Sequence, residues 1–259
     1  MKAVDMTSKS RIRVIAALMI ASVAGLSFAA HFADAAESAR FSGADKKAIE
    51  AIVHSYLVEH PEVLTEAFQS LQNQQAAAGK AKADTVIAKR PNDIFADGYS
   101  FVAGNPKATV TVVEFFDYNC GHCREAFPKL MSLIDTKADI RFIFKEFPIF
   151  PGSDEAAKAS MAAGRQGKYL EFHRALMSTQ GAVNPHAIDA AAKKLGLDLD
   201  KLHKDMKDPL LDARLEANHK LGDDLGIDGT PTFIVGKELL SGWGGKDFED
   251  LVAKAAKKS

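Results

Sequence analysis

The chain has 259 residues, 47% of them hydrophobic, with 33 Lys and Arg against 34 Asp and Glu for a formal net charge of −1. That length suits one large domain with a small appendage, and the apolar content is enough for a core without structural disulfides. The even charge balance gives no basic excess, so no nucleic-acid partner is expected, and two cysteines exclude a disulfide scaffold.

Residues 1–35 read as a signal peptide. Lys9, Arg11 and Arg13 form a positive start, residues 14–30 are apolar, and Ala33-Asp34-Ala35 offers a small-x-small cleavage site, so cleavage near Ala35 is expected. The apolar stretch is short for a bilayer span and is diluted by Ser22, Gly25 and Ser27, which leaves an uncleaved anchor as the alternative. Export implies an oxidising compartment, the periplasm, where a reactive dithiol has disulfides to work on.

Residues 36–75 form the next segment. Ile49, Ile52, Val53, Tyr56 and Leu57 recur at helical spacing, His60-Pro61 interrupts them, and Val63, Leu64, Ala67, Phe68 and Leu71 mark a second apolar face. Two short helices with no core of their own must pack on the main domain or on another copy. Residues 72–90, rich in Gln, Ala and Lys, read as a helical or flexible connector, with the linker placed at 76–93. That polar separation favours a homo-oligomer held through residues 44–75.

The catalytic domain spans residues 94–259. The apolar run 110–116 predicts a central strand, and 120–134 a helix kinked at Pro128. Residues 140–145 predict the next strand. Ser153 is expected to cap a helix running to about Met177, and Asn184-Pro185 to open another that Gly196 ends. Helices at 199–206 and 210–225 follow, then a hairpin of 232–235 with 238–241, and a last helix at 246–257. The order is βαβ, a helical block, then ββα: an α/β thioredoxin fold with a helical insertion, preceded by the N-terminal helical segment.

Both cysteines fall in one motif, Cys120-Gly121-His122-Cys123, between the central strand and its helix. In that context Cys-x-x-Cys signals a redox-active dithiol. Cys120 sits at a helix N-terminus, where unpaired N–H groups and the dipole favour a thiolate, so it is expected to be the attacking sulfur. Cys123, one turn further in, is the shielded resolving thiol. His122 can offer positive charge or a hydrogen bond to the thiolate, and Gly121-His122 together set the redox poise. A structural zinc site wants four ligands, and no second cysteine pair exists, so no metal and no cofactor beyond the Cys120–Cys123 pair is expected. A purely structural disulfide would close too small a loop to stabilise much.

The stretches Val113 to Cys123, Phe147-Pro148-Ile149 with the helix through Gly167-Lys168-Tyr169, and Gly229 to Val235 resemble the DsbA-like branch of the thioredoxin superfamily. Residues 44–75, with His60-Pro61-Glu62-Val63-Leu64, resemble the N-terminal oligomerisation segment of the ScsC-like (suppressor of copper sensitivity) disulfide isomerases. The Cys-Gly-His-Cys sequence itself is similar to that of eukaryotic protein disulfide isomerase. The resemblance implies that Thr230-Pro231 is a cis-proline loop lying against the cysteines, with the Thr230 backbone aligning an extended substrate. It also implies that Glu114 is a buried acid that takes a proton from Cys123. Strand adjacency suggests Lys145 as the partner of Glu114. His173 is expected to be a packing or surface residue, not a ligand.

These readings lead to an exported thiol–disulfide oxidoreductase acting on protein or peptide thiols and disulfides, recharged by a membrane redox partner of the Dsb type. Oligomerisation and Thr before Pro231 favour an isomerase or reductase. The alternatives are a DsbA-type dithiol oxidase, or a copper-binding or chaperone module in which soft thiolates hold Cu(I).

Overall fold

The computed structural model describes residues 41–136 and 139–258, so the signal-peptide reading of residues 1–35 lies outside the described residues. The chain divides after Gln72 into two compact units.

In the first unit, helix α1 (Gly43–Glu59) opens with a capping box: the Ser42 hydroxyl accepts from Asp45 N–H, and Asp45 Oδ2 accepts from Ser42 N–H at 2.8 Å. His60 ends α1 and Pro61 precedes α2 (Glu62–Lys89), as the sequence break predicts. No residue of α1 is buried. Ile52, Tyr56, Leu64, Phe68 and Leu71 are all at least half exposed, so α1 and the start of α2 do not bury the expected apolar stripe between themselves.

Helix α2 runs on through the stretch read as a helical or flexible linker. Ala83 and Ile87 near its end are buried, and Ile87 packs with Ile94 of the short helix α3 (Pro91–Phe95).

The second unit is built on a five-stranded sheet. Its strands are β1 (Phe101–Gly104), β2 (Val110–Phe116), β3 (Ile140–Glu146), β4 (Thr232–Val235) and β5 (Glu238–Ser241), in the order β1-β3-β2-β4-β5. Only β2 and β3 pair in parallel, joined through helix α4 (Gly121–Thr136); the other neighbours are antiparallel. Both faces of β2 are covered, which explains its nearly unbroken apolar run. One face, with Val112 and Phe116, packs against α4, the helical block and α10 (Gly245–Lys258). The other, with Val113 and Phe115, packs against Ile87, Ile94, Leu221 and Leu225.

The helical block between β3 and β4 comprises α5 (Ser153–Gly164), α6 (Tyr169–Met177), α7 (Pro185–Lys194), α8 (Leu199–Asp205) and α9 (Pro209–Leu225). This is the thioredoxin fold with a helical insertion. Asn184 caps α7 by accepting from Ala187 N–H at 3.0 Å, as expected. Two expectations are corrected. The single helix to Met177 is broken at Gly164–Lys168, where Gly167 takes a left-handed turn and Lys168 N–H returns to the Ala163 carbonyl. Ser153 does not cap α5; Gly152 holds that position, and the Ser153 hydroxyl turns to Asp117 instead.

Candidate active site

Strand β2 ends at Phe116, and a four-residue turn closed by Cys120 N–H to the Asp117 carbonyl delivers Cys120 to the start of α4. The Cys120 carbonyl accepts the first helical hydrogen bond, from Arg124 N–H at 3.2 Å, which places its sulfur among the free N–H groups of the first turn. Neither cysteine is in a disulfide. Cys123 is 0% exposed and Cys120 only 3%, so the Cys120 sulfur is more covered than a helix N-terminus alone implies. The cover is the loop before β4: the Thr230–Pro231 bond is cis, and Cys120 Sγ donates to the Thr230 carbonyl at 3.1 Å. While Cys120 is a thiol the Thr230 hydroxyl is buried and unpaired among the described residues, and it is near enough to donate once the sulfur ionises.

The two thiols are driven apart in acidity. The Cys123 thiol, hydrogen-bonded to Cys120, is the largest influence on it, and the Thr230 side chain and the Cys123 and His122 N–H groups add to it. Against the opposing effect of burial, these pull Cys120 down to about 5. Burial pushes Cys123 far up, and its bond to Cys120 and the Glu114 charge act in the same direction. Glu114 lies on β2 facing α4, 2% exposed; burial, then the Cys120 charge, raises it to about 8.

The remaining sequence-derived positions are placed as follows. An added Cβ at Gly121 would meet nothing within 4 Å, so that residue is open to substitution without a clash. His122 points away from the sulfur: its ring is exposed, with Nδ1 3.4 Å from Glu125 Oε2, and its contribution to Cys120 comes from the backbone N–H. Lys145 does not pair with Glu114. In the parallel register it stands beside Phe115 and not Glu114, so side-chain alternation sends it to the opposite face of the sheet. There it is fully buried, paired with Asp97 and donating to the Asp93 carbonyl at 2.6 Å.

Sequence reasoning missed the residues that hold this turn. Asp117 is buried at the end of β2, and its Oδ2 accepts from Ile149 N–H at 2.7 Å and Phe150 N–H at 2.9 Å. Its Oδ1 accepts from Asn119 N–H and the Ser153 hydroxyl, both at 2.6 Å. Asn119 donates to Ser153 Oγ and accepts from Val183 N–H at 2.7 Å. Arg124 Nε donates to the Tyr118 carbonyl, and its Nη1 to the carbonyls of Thr179 and Gly181. One polar clamp thus ties the cysteine turn to the loops before α5 and α7. The signal was the Asp117-Tyr118-Asn119 run of polar groups directly after an apolar strand. His173 is buried, as one of the two readings had it; its Nδ1 lies 3.0 Å from the Tyr118 hydroxyl, and burial lowers it to about 3.

Residues 111–256 match the family described as the DSBA-like thioredoxin domain. The chain belongs to this family. Residues 45–78 match the copper resistance protein ScsC N-terminal domain, on the segment carrying α1 and the first part of α2. The DSBA-like chain is 40% identical to a thioredoxin-like oxidoreductase from Silicibacter pomeroyi DSS-3, with a TM-score of 0.61 over 64% of this chain and 97% of that one. It is 26% identical to Proteus mirabilis ScsC in a transitional conformation, with a TM-score of 0.61 over 85% of this chain and 100% of that one. It is also 34% identical over 137 residues, 52% of this chain, to Na(+)/H(+) antiporter NhaA 1 of Salinispora arenicola, but this covers only 21% of the antiporter. The chain therefore spans about a fifth of the length of such curated relatives. Among the described residues no helix is long and apolar enough to cross a membrane.

Proposed function

We propose that this protein is an exported, periplasmic disulfide isomerase or reductase that acts on protein substrates through Cys120 and Cys123. The observation that carries the reading is the pairing of a Cys120 held near pKa 5 with a buried, strongly protonated Cys123. At neutral pH the Cys120 thiolate attacks a substrate disulfide; a mixed disulfide forms and one substrate sulfur leaves as a thiolate. In isomerisation another substrate thiolate attacks the mixed disulfide and returns Cys120 as a thiolate. In reduction the mixed disulfide has lost the Cys120 charge that helps keep Glu114 protonated. The Glu114 carboxylate so favoured takes the Cys123 proton, and Cys123 attacks Cys120 Sγ and releases the reduced substrate as a thiolate, leaving the Cys120–Cys123 disulfide. The Thr230 backbone aligns an extended substrate segment beside the sulfur.

Both routes start from the dithiol, so in an oxidising compartment a membrane thiol donor of the Dsb type must return the disulfide to that form. The match of residues 45–78 to an ScsC N-terminal domain and the uncovered stripe of α1 and α2 support assembly of several copies through residues 44–75. Several active sites facing one misfolded chain favour reshuffling over one-way oxidation. The test is recovery of ribonuclease activity from scrambled enzyme, run beside oxidation of a reduced peptide. Recovery that outpaces peptide oxidation is expected; fast peptide oxidation without recovery replaces this reading with a dithiol oxidase.

A further inference from the structure

A cavity of about 490 Å³ lies on the β1 side of the second unit, bounded by β1, the end of α5, the start of α6 and the middle of α9. Cys120, Cys123, Glu114 and Thr230 take no part in its walls. Its size falls within the range of about 300–1,000 Å³ common for small-ligand sites. The apolar side is aromatic: Phe101 stacks on Tyr169 with ring centroids 4.4 Å apart, and Phe144 lies behind both.

The polar groups that reach this space are already held in place. Glu146, 4% exposed, accepts through Oε1 from the hydroxyls of Tyr169 at 2.7 Å and Tyr118 at 3.2 Å. Its Oε2 takes no hydrogen bond among the described residues. Burial raises Glu146 well above the usual carboxylate range, so it is a neutral acid with a proton to offer. Asn218, 2% exposed, is spent on the Tyr99 hydroxyl and the Glu146 carbonyl, which fixes the wall. The Arg214 guanidinium lies over the Tyr99 ring at 5.3 Å and has no hydrogen bond or ion pair among the described residues. Asp208 feels the Arg214 charge from further off but does not bond to it. A cation with no bonded counter-ion, aromatic walls and a neutral donor suit a monoanion with an apolar body. The other cation in the wall, Arg165, is already paired with Asp208 at 2.6 Å, so a second negative charge would find no open partner, and a cation would meet Arg214.

We infer that this cavity binds a small organic acid, its carboxylate on Arg214 and its aromatic or branched body against the packed cluster of Phe101, Phe144 and Tyr169. The site is separate from thiol chemistry and does not depend on the isomerase reading. The test is saturation-transfer NMR on the full exported chain with 3-phenylpropionate, its uncharged amide, and the variants Arg214→Met and Arg214→Lys. The acid should bind saturably, and Arg214→Met should weaken it by roughly tenfold, about the worth of one charge-assisted hydrogen bond. Arg214→Lys should restore part of the loss. The amide should bind the native protein about as weakly as the acid binds Arg214→Met. Alkylation of Cys120 should leave binding of the acid unchanged. Absence of saturable binding, equal affinity for acid and amide, indifference to Arg214→Met, or loss on alkylating Cys120 would each overturn the inference.

Discussion

Replacing Cys123 by alanine removes the hydrogen bond that contributes most to the acidity of Cys120. A hydrogen bond to a charged group is worth about 1.5–3 kcal/mol, and one pKa unit corresponds to about 1.36 kcal/mol. The Cys120 midpoint, about 5 in the native protein, should therefore climb by about one to two units. At pH near 5.5 the thiolate fraction would drop from roughly three-quarters to about a tenth for a shift of about 1.5 units. The more basic thiolate is also the better nucleophile, by about fivefold for that shift with a Brønsted slope of about 0.4–0.5. Alkylation should thus speed up about fivefold near pH 8 but fall slightly near pH 5.5. Thiolate ultraviolet absorbance gives the midpoint and iodoacetamide kinetics give the rates. A midpoint unmoved in Cys123→Ala would show that the N–H groups of the helix start set the acidity without the second sulfur.

Glu114→Gln probes the buried acid through stability. Because burial raises the folded-state pKa to about 8 from 4.5, the stability Glu114 contributes is complete below pH 4.5 and is lost as pH climbs through 8. The advantage of Glu114→Gln in urea unfolding of the reduced protein should grow across that window by up to about 5 kcal/mol. A constant difference would refute the assignment. On the other face of the sheet, Asp97→Ala strands the buried Lys145 and should cost about 3–5 kcal/mol, while Lys145→Met should cost much less; equal costs in chemical denaturation would count against that pairing. Ile52→Glu combined with Phe68→Glu places charge on the uncovered stripe and should leave a monomer with unchanged peptide reduction per chain. An unchanged mass in light scattering would refute assembly through these helices.

The dithiol, its strand and its helix were legible because the local pattern dictates them: an apolar run buried on both faces must be central, and both cysteines follow it directly. The edge strand β1 was missed, since four residues with a mixed burial pattern carry no period to detect. The break between α5 and α6 hinged on two glycines that a continuous apolar face concealed. Lys145 was misassigned because sequence adjacency of strands does not reveal register, and a parallel ladder shifted by one residue reverses every side chain. Asp117 and Glu146 were passed over for a related reason. A carboxyl group at a strand end looks like a boundary, and only the packed structure shows which backbone N–H groups or phenols have closed around it.

The carboxylate of Asp117 bonds at once to the turn that carries Cys120 and to the Ile149–Phe150 backbone, whose side chains stay partly open to solvent. One buried group therefore fixes both the sulfur-bearing turn and an exposed apolar pair. Because it grips that pair by its N–H groups, the two outer side chains can vary while the bonds to the turn stay in place, whereas any change at position 117 loosens both together.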